Sequence, residues 1–185
     1  FLQGPMRVDQ TTAQLIAAAG ACMGLVFYIA TGALSDRIGR KKPIVIGYAL
    51  TLILLFPLFW LIGHAAGNGT GAPPGATFVP DAASIALMLA GILGLMFVSG
   101  LTYGSVAALL VEMFPPNIRY SSMSIPYHFG TGYFGGFLPL ISAYVVAETG
   151  DPYAGLWYTW GVVAMALVVT FFWLPETHGK ASDQA

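Results

Sequence analysis

The segment Gly32-Ala33-Leu34-Ser35-Asp36-Arg37-Ile38-Gly39-Arg40-Lys41-Lys42-Pro43 places one acid and four bases between small residues and a proline. Its chemistry is ion pairing rather than bond making. Asp36 can bond to the positive N-terminus of a neighbouring helix, while Arg37, Arg40 and Lys41 can anchor to lipid phosphate or pair with acids. Gly32 and Gly39 permit the close approach that a tight turn between packed helices demands. Acids recur downstream: Glu112 precedes Arg119 in Glu112-Met113-Phe114-Pro115-Pro116-Asn117-Ile118-Arg119, and Glu176 lies in Pro175-Glu176-Thr177-His178-Gly179-Lys180. Bases alone would be passive anchors at lipid headgroups. Acids beside them predict a network that holds helix ends together in one state and releases them in another. Interfacial pairs are worth about 0–1 kcal/mol each, and several acting jointly bias a two-state equilibrium.

A second group of candidates lies away from these charges. His128 falls well inside an apolar stretch, eight residues past Tyr120, or about 12 Å along a helix. Tyr103, nine residues before Glu112, reaches a similar depth on the preceding stretch. An ionisable residue inside a membrane is a functional candidate by default, and its ordinary role is a neutral imidazole bonded to a neighbouring helix. Tyr127 would point elsewhere than His128 on a regular helix. Pro126 and Pro139 make that helix irregular, so either residue can face a cavity. Glycines at Gly20/Gly24, Gly100/Gly104 and Gly132/Gly136 have the spacing of close helix packing. Gly130, Gly132, Gly135 and Gly136, gathered at one level, would also permit bending. No metal-ligand cluster, nucleotide-binding loop or nucleophile–base arrangement occurs, so the expectation is no enzyme, no metal and no cofactor.

The elements that must position these residues follow from composition. Charged residues make up 8% and hydrophobic ones 57% of the 185 residues, where a soluble domain carries roughly a quarter charged. Lipid is therefore the expected outer solvent. Net charge is −1, which gives no basic footprint for nucleic acid. The lone Cys22 cannot form an internal disulfide. Uncharged stretches predict an all-α integral membrane fold with five spans at about 12–34, 43–64, 83–112, 120–147 and 154–174. The Gly- and Pro-rich segment 65–82 predicts an exposed loop. Six of the seven basic residues fall on one side of such a fold, which makes that side cytoplasmic. Residue 1 is then outside and the C-terminus inside. Five is an odd count and the chain opens at Phe1, so a preceding segment is expected.

The run from Gly32 to Pro43 resembles the signature between the second and third helices of each half of the major facilitator superfamily. The stretch Glu112–Arg119 is similar to the acid-then-arginine motif after helix 10 in its sugar porters and metabolite/proton symporters, and Pro175–Lys180 to their closing Pro-Glu-Thr-x-Gly. The run Arg119-Tyr120-Ser121-Ser122-Met123-Ser124-Ile125-Pro126-Tyr127-His128, with Gly135-Gly136-Phe137-Leu138-Pro139, resembles the metabolite/proton symporter branch in particular. The resemblance implies helices 8 to 12 of a twelve-helix fold. Residues 1–9 would end helix 7 and its outer loop. The N-terminal half would be absent, and with it the acidic residue such symporters usually use for the proton. It further implies a bacterial-type inner-membrane carrier moving an organic acid or zwitterionic osmolyte with protons, by rocking of two halves around a central site. The implied partners are substrate, protons, lipid and that other half. A sugar porter, or a non-transporting receptor or structural subunit on the same fold, is the alternative.

Overall fold

The computed structural model describes residues 1–4, 6–67, 78–115 and 118–177, and the described part is helical apart from short connections and one isolated bridge. The helices are α1 (Gln10–Ile38), α2 (Lys41–Ala65), α3 (Ala82–Met113), α4 (Arg119–Gly130), α5 (Leu138–Thr149) and α6 (Leu156–Trp173), with a π-helical turn (Thr131–Gly135) between α4 and α5. They make five crossings long and apolar enough for a membrane, α4, the π-turn and α5 forming one of them over Arg119–Thr149. Most of the glycine-rich loop expected over 65–82 lies outside the described residues.

Helix ends are set by side chains that hydropathy does not register. Asp9 caps α1 by accepting from the Thr12 backbone N–H at 3.1 Å and the Thr12 hydroxyl at 3.2 Å. Asp81 caps α3 through the Ser84 N–H at 2.9 Å, and these bonds from Ser84 hold its carboxyl below the usual carboxylate range. Such caps satisfy donors that a helix start leaves unpaired. At the opposite end α1 runs through Asp36 and Arg37, and α2 begins at Lys41. Both helices therefore extend beyond the apolar stretches that predicted them, because a charged side chain leaving the bilayer does not interrupt backbone hydrogen bonding.

α3 is the centre of the packing, with α1 and α2 against it and α6 against α2. Gly20, Gly24, Gly100 and Gly104 all lie at the α1–α3 contact. A Cβ at Gly24 would stand 3.0 Å from Met96, and one at Gly104 would stand 2.6 Å from the Thr31 hydroxyl. The buried Thr31 hydroxyl, 2.7 Å from the Gly100 carbonyl, adds an interhelical bond at that approach. Gly132 and Gly136 behave otherwise. No described residue beyond its own helical turn lies within 4 Å of a Cβ at Gly132, whereas one at Gly136 would run into the Gly132 carbonyl oxygen. This pair thus serves the π-turn rather than a helix contact.

One end of the bundle holds a compact apolar cluster of Met6, Val8, Ala13, Ile16, Ile62, Ala65, Ala66 and Met88. The N-terminal residues are fixed over it by Asp9 N–H to the Phe78 carbonyl at 3.0 Å and Phe78 N–H to the Arg7 carbonyl at 2.9 Å. The other end carries Asp36, Arg37, Arg40, Lys41, Lys42, Glu112 and Glu176. By contrast, α4 and α5 contain no buried residue among those described.

Candidate functional site

The charged end is organised around Arg40, which stands at the junction of α1 and α2 with its side chain only 11% exposed. Its Nε and Nη2 donate to the same Glu112 oxygen at 3.0 and 2.8 Å. Its Nη1 donates to the Ser35 hydroxyl at 2.7 Å and to Asp36. The hydrogen bond that Arg40 donates to Glu112 raises its pKa, burial acts against the rise, and Asp36 adds to it. The other Glu112 oxygen accepts from the buried Thr177 hydroxyl at 2.6 Å.

Glu176 does different work. Its two carboxylate oxygens accept the backbone N–H groups of Arg40 at 2.8 Å and Lys41 at 3.1 Å. A carboxylate from the far end of the chain therefore caps α2, where the helix dipole favours negative charge. Room for it is made by Gly39, whose φ of 99° and ψ of 163° place it in a region that essentially only glycine occupies. A Cβ there would stand 2.7 Å from the Glu176 carboxylate. The α1–α2 turn, the end of α3 and the segment after α6 are thereby fastened into one clasp. Lys41 extends it, its ammonium donating to the Phe171 carbonyl at 2.9 Å near the end of α6.

Most of the charged residues singled out in the sequence meet in this clasp, and some lie apart from it. Arg119 donates from Nε to the Phe114 carbonyl at 3.1 Å, so it braces its own connection instead of joining the Arg40 cluster. Arg37 is exposed beside the clasp. Gly32 faces Gly104 across the α1–α3 contact, with its would-be Cβ 3.6 Å from that carbonyl. Ser35 and Thr177 were missed as clasp members; both are small hydroxyl residues adjacent to an acid of the motif, which is the available signal.

A cavity of about 650 Å³ opens between α2, α3, α4 with the π-turn, and α6. Tyr103 and Tyr127 line it; His128 does not. Neighbouring residues on a helix point about 100° apart, and with Tyr127 on the wall His128 lies outside it, its ring 5.6 Å edge-on from that of Tyr127. Tyr48, Thr102, Thr131, Phe134 and Thr159 complete the distinctive lining. They belong to stripes at helical spacing: Tyr127, Gly130, Thr131 and Phe134 on one side, Thr159, Val162, Val163 and Ala166 on another.

The π-turn shapes this wall. The Gly136 N–H lies 3.0 Å from the Thr131 carbonyl and 3.1 Å from the Gly132 carbonyl, so one donor serves both a π-type and an α-type bond. Gly136→Ala should lower stability by about 1–3 kcal/mol through overpacking, measured by denaturant unfolding of the purified carrier. Unchanged stability would mean that the turn relaxes into α register without penalty.

Comparison with known proteins agrees with this architecture. The family profile described as Major Facilitator Superfamily matches residues 2–185. A citrate-proton symporter of Klebsiella pneumoniae is 31% identical over 143 residues, covering 77% of this chain and 28% of that protein. A putative proline/betaine transporter of Staphylococcus aureus (strain COL) is 26% identical over 182 residues, covering 98% of this chain and 35% of that protein. The citrate-proton symporter of Salmonella typhi is 31% identical over 140 residues, with 75% and 28% covered. The chain thus spans about a third of the length of these relatives. No solved structure gives a significant match.

Proposed function

Because the chain belongs to the Major Facilitator Superfamily, we propose that it forms part of a secondary active transporter moving a small polar metabolite with protons by alternating access. The metabolite class is an organic acid or a zwitterionic osmolyte, in keeping with what the similar proteins are named for. The observation that carries the reading is the cavity between α2, α3, α4 and α6, with a charged clasp on the same bundle. Tyr103 on its wall lies nine residues from Glu112, about 13 Å along α3, so solute and clasp occupy different depths. The remaining wall belongs to a partner half. Uptake of labelled candidates into vesicles by the full-length carrier tests this. A proton gradient should drive accumulation, and dissipating it should abolish accumulation; uptake indifferent to the gradient would remove proton coupling.

The location that fits is a bacterial-type inner membrane, with residue 1 outside and the clasp at the cytoplasmic face, since Arg37, Arg40, Lys41 and Lys42 gather there. Single cysteines at exposed Val79 and Lys42, in a Cys22-free carrier, provide the check. An impermeant thiol reagent applied to intact cells should label Val79→Cys and spare Lys42→Cys. The reverse pattern would invert the topology.

A further inference from the structure

The cavity wall built by this chain is uncharged and sets aromatic rings among aliphatic side chains such as Val106, Leu110, Val162 and Val163. Four rings line it, those of Tyr48 from α2, Tyr103 from α3, and Tyr127 and Phe134 together from the crossing of α4 and the π-turn. The hydroxyls of Thr102, Thr131 and Thr159 accompany them, and no Asp, Glu, Lys, Arg or His lines it among the described residues. Such a wall discriminates between charged poles. A carboxylate set against it would lose hydration without meeting a cation, which is costly. A primary ammonium would need several acceptors for its three N–H donors. A quaternary ammonium needs none, because its charge is spread over methyl groups that aromatic faces attract.

We propose that this wall binds the quaternary-ammonium pole of a zwitterionic solute, with the carboxylate pole turned toward groups outside this chain. The inference rests on the transporter reading and narrows its substrate class. The rings supply the attraction, so the phenolic hydroxyls are dispensable.

The test is an isosteric pair. Trimethylammonioacetate and tert-butylacetate have the same shape and carboxylate, but only the first carries the cation. With the full-length carrier in proteoliposomes under a proton gradient, trimethylammonioacetate should act at about tenfold lower concentration than tert-butylacetate. Tyr103→Phe should stay within about threefold of the parent affinity, while Tyr103→Leu and Tyr127→Leu should each weaken it about tenfold. Thermal unfolding of each variant identifies any that misfolds, and the isosteric pair on the parent protein decides the matter without them. Equal affinity for the two isosteres overturns the proposal, as does uptake of citrate with which neither competes; both leave the transporter reading standing. Failure to accumulate any of the three solutes overturns the transporter reading and this proposal with it.

Discussion

Gly39→Ala should lower the stability of the folded carrier by about 2–4 kcal/mol, one of the two largest effects expected of a single substitution here. Two costs coincide at that position. The φ of 99° and ψ of 163° at Gly39 belong to a backbone region worth about 1–3 kcal/mol of strain in any other residue. A methyl group would also stand 2.7 Å from the Glu176 carboxylate, which caps Arg40 and Lys41, and loss of a cap costs about 1 kcal/mol. Gly32→Ala is the control, because its Cβ meets the Gly104 carbonyl at an ordinary 3.6 Å. Denaturant unfolding of both variants should separate them clearly. If they unfolded alike, the capping role of Glu176 would be unimportant to stability.

Glu112→Ala should be comparably damaging, at about 2–4 kcal/mol. It removes the acceptor of two N–H donors of Arg40, whose side chain is only 11% exposed, and deprives the buried Thr177 hydroxyl of its acceptor. Removing one member of a mostly buried pair costs more than removing both. The double change Arg40→Met with Glu112→Leu should therefore recover most of the loss, and additive losses would show that the pair is not coupled. Glu112→Gln is the milder probe, since it keeps an acceptor and removes the charge. We expect it to leave solute affinity within a few-fold while redistributing inward- and outward-open states, about tenfold for each 1.4 kcal/mol of lost bias. Labelling of cavity cysteines from either side reads that ratio. An unchanged ratio would leave the clasp a purely structural fastening.

The sequence made the five crossings legible because lipid imposes long uncharged runs, and it made the clasp legible because charges are scarce enough to stand out. Asp36, Glu112 and Glu176 each bond to Arg40. What sequence could not supply was direction. Arg119 looked equivalent to Arg40, yet it turns back on the Phe114 carbonyl, a choice made by local backbone geometry. His128 stood out as an ionisable residue inside a span, but the rotation of α4 places Tyr127 on the cavity wall instead. The aromatic lining was hidden for a different reason. Tyr48 and Phe134 are unremarkable in apolar helices, and only tertiary packing brings them to one space. The π-turn was signalled as glycine-rich and read as packing or bending, since spacing alone does not tell a helix contact from a carbonyl approach within one helix.

The crossing formed by α4, the π-turn and α5 is the least apolar of the five and buries none of its residues within this chain. That combination bears on how the protein is made. During synthesis, a segment passes from the insertion channel into lipid according to how apolar it is, so this crossing has the weakest claim of its own to a place in the bilayer. The Ser142 hydroxyl, 3.2 Å from the Gly155 carbonyl at the foot of α6, couples it to the span synthesised immediately afterwards. Insertion of the two as a hairpin follows, and a nascent chain arrested before α6 should leave this segment loosely held and open to membrane proteases.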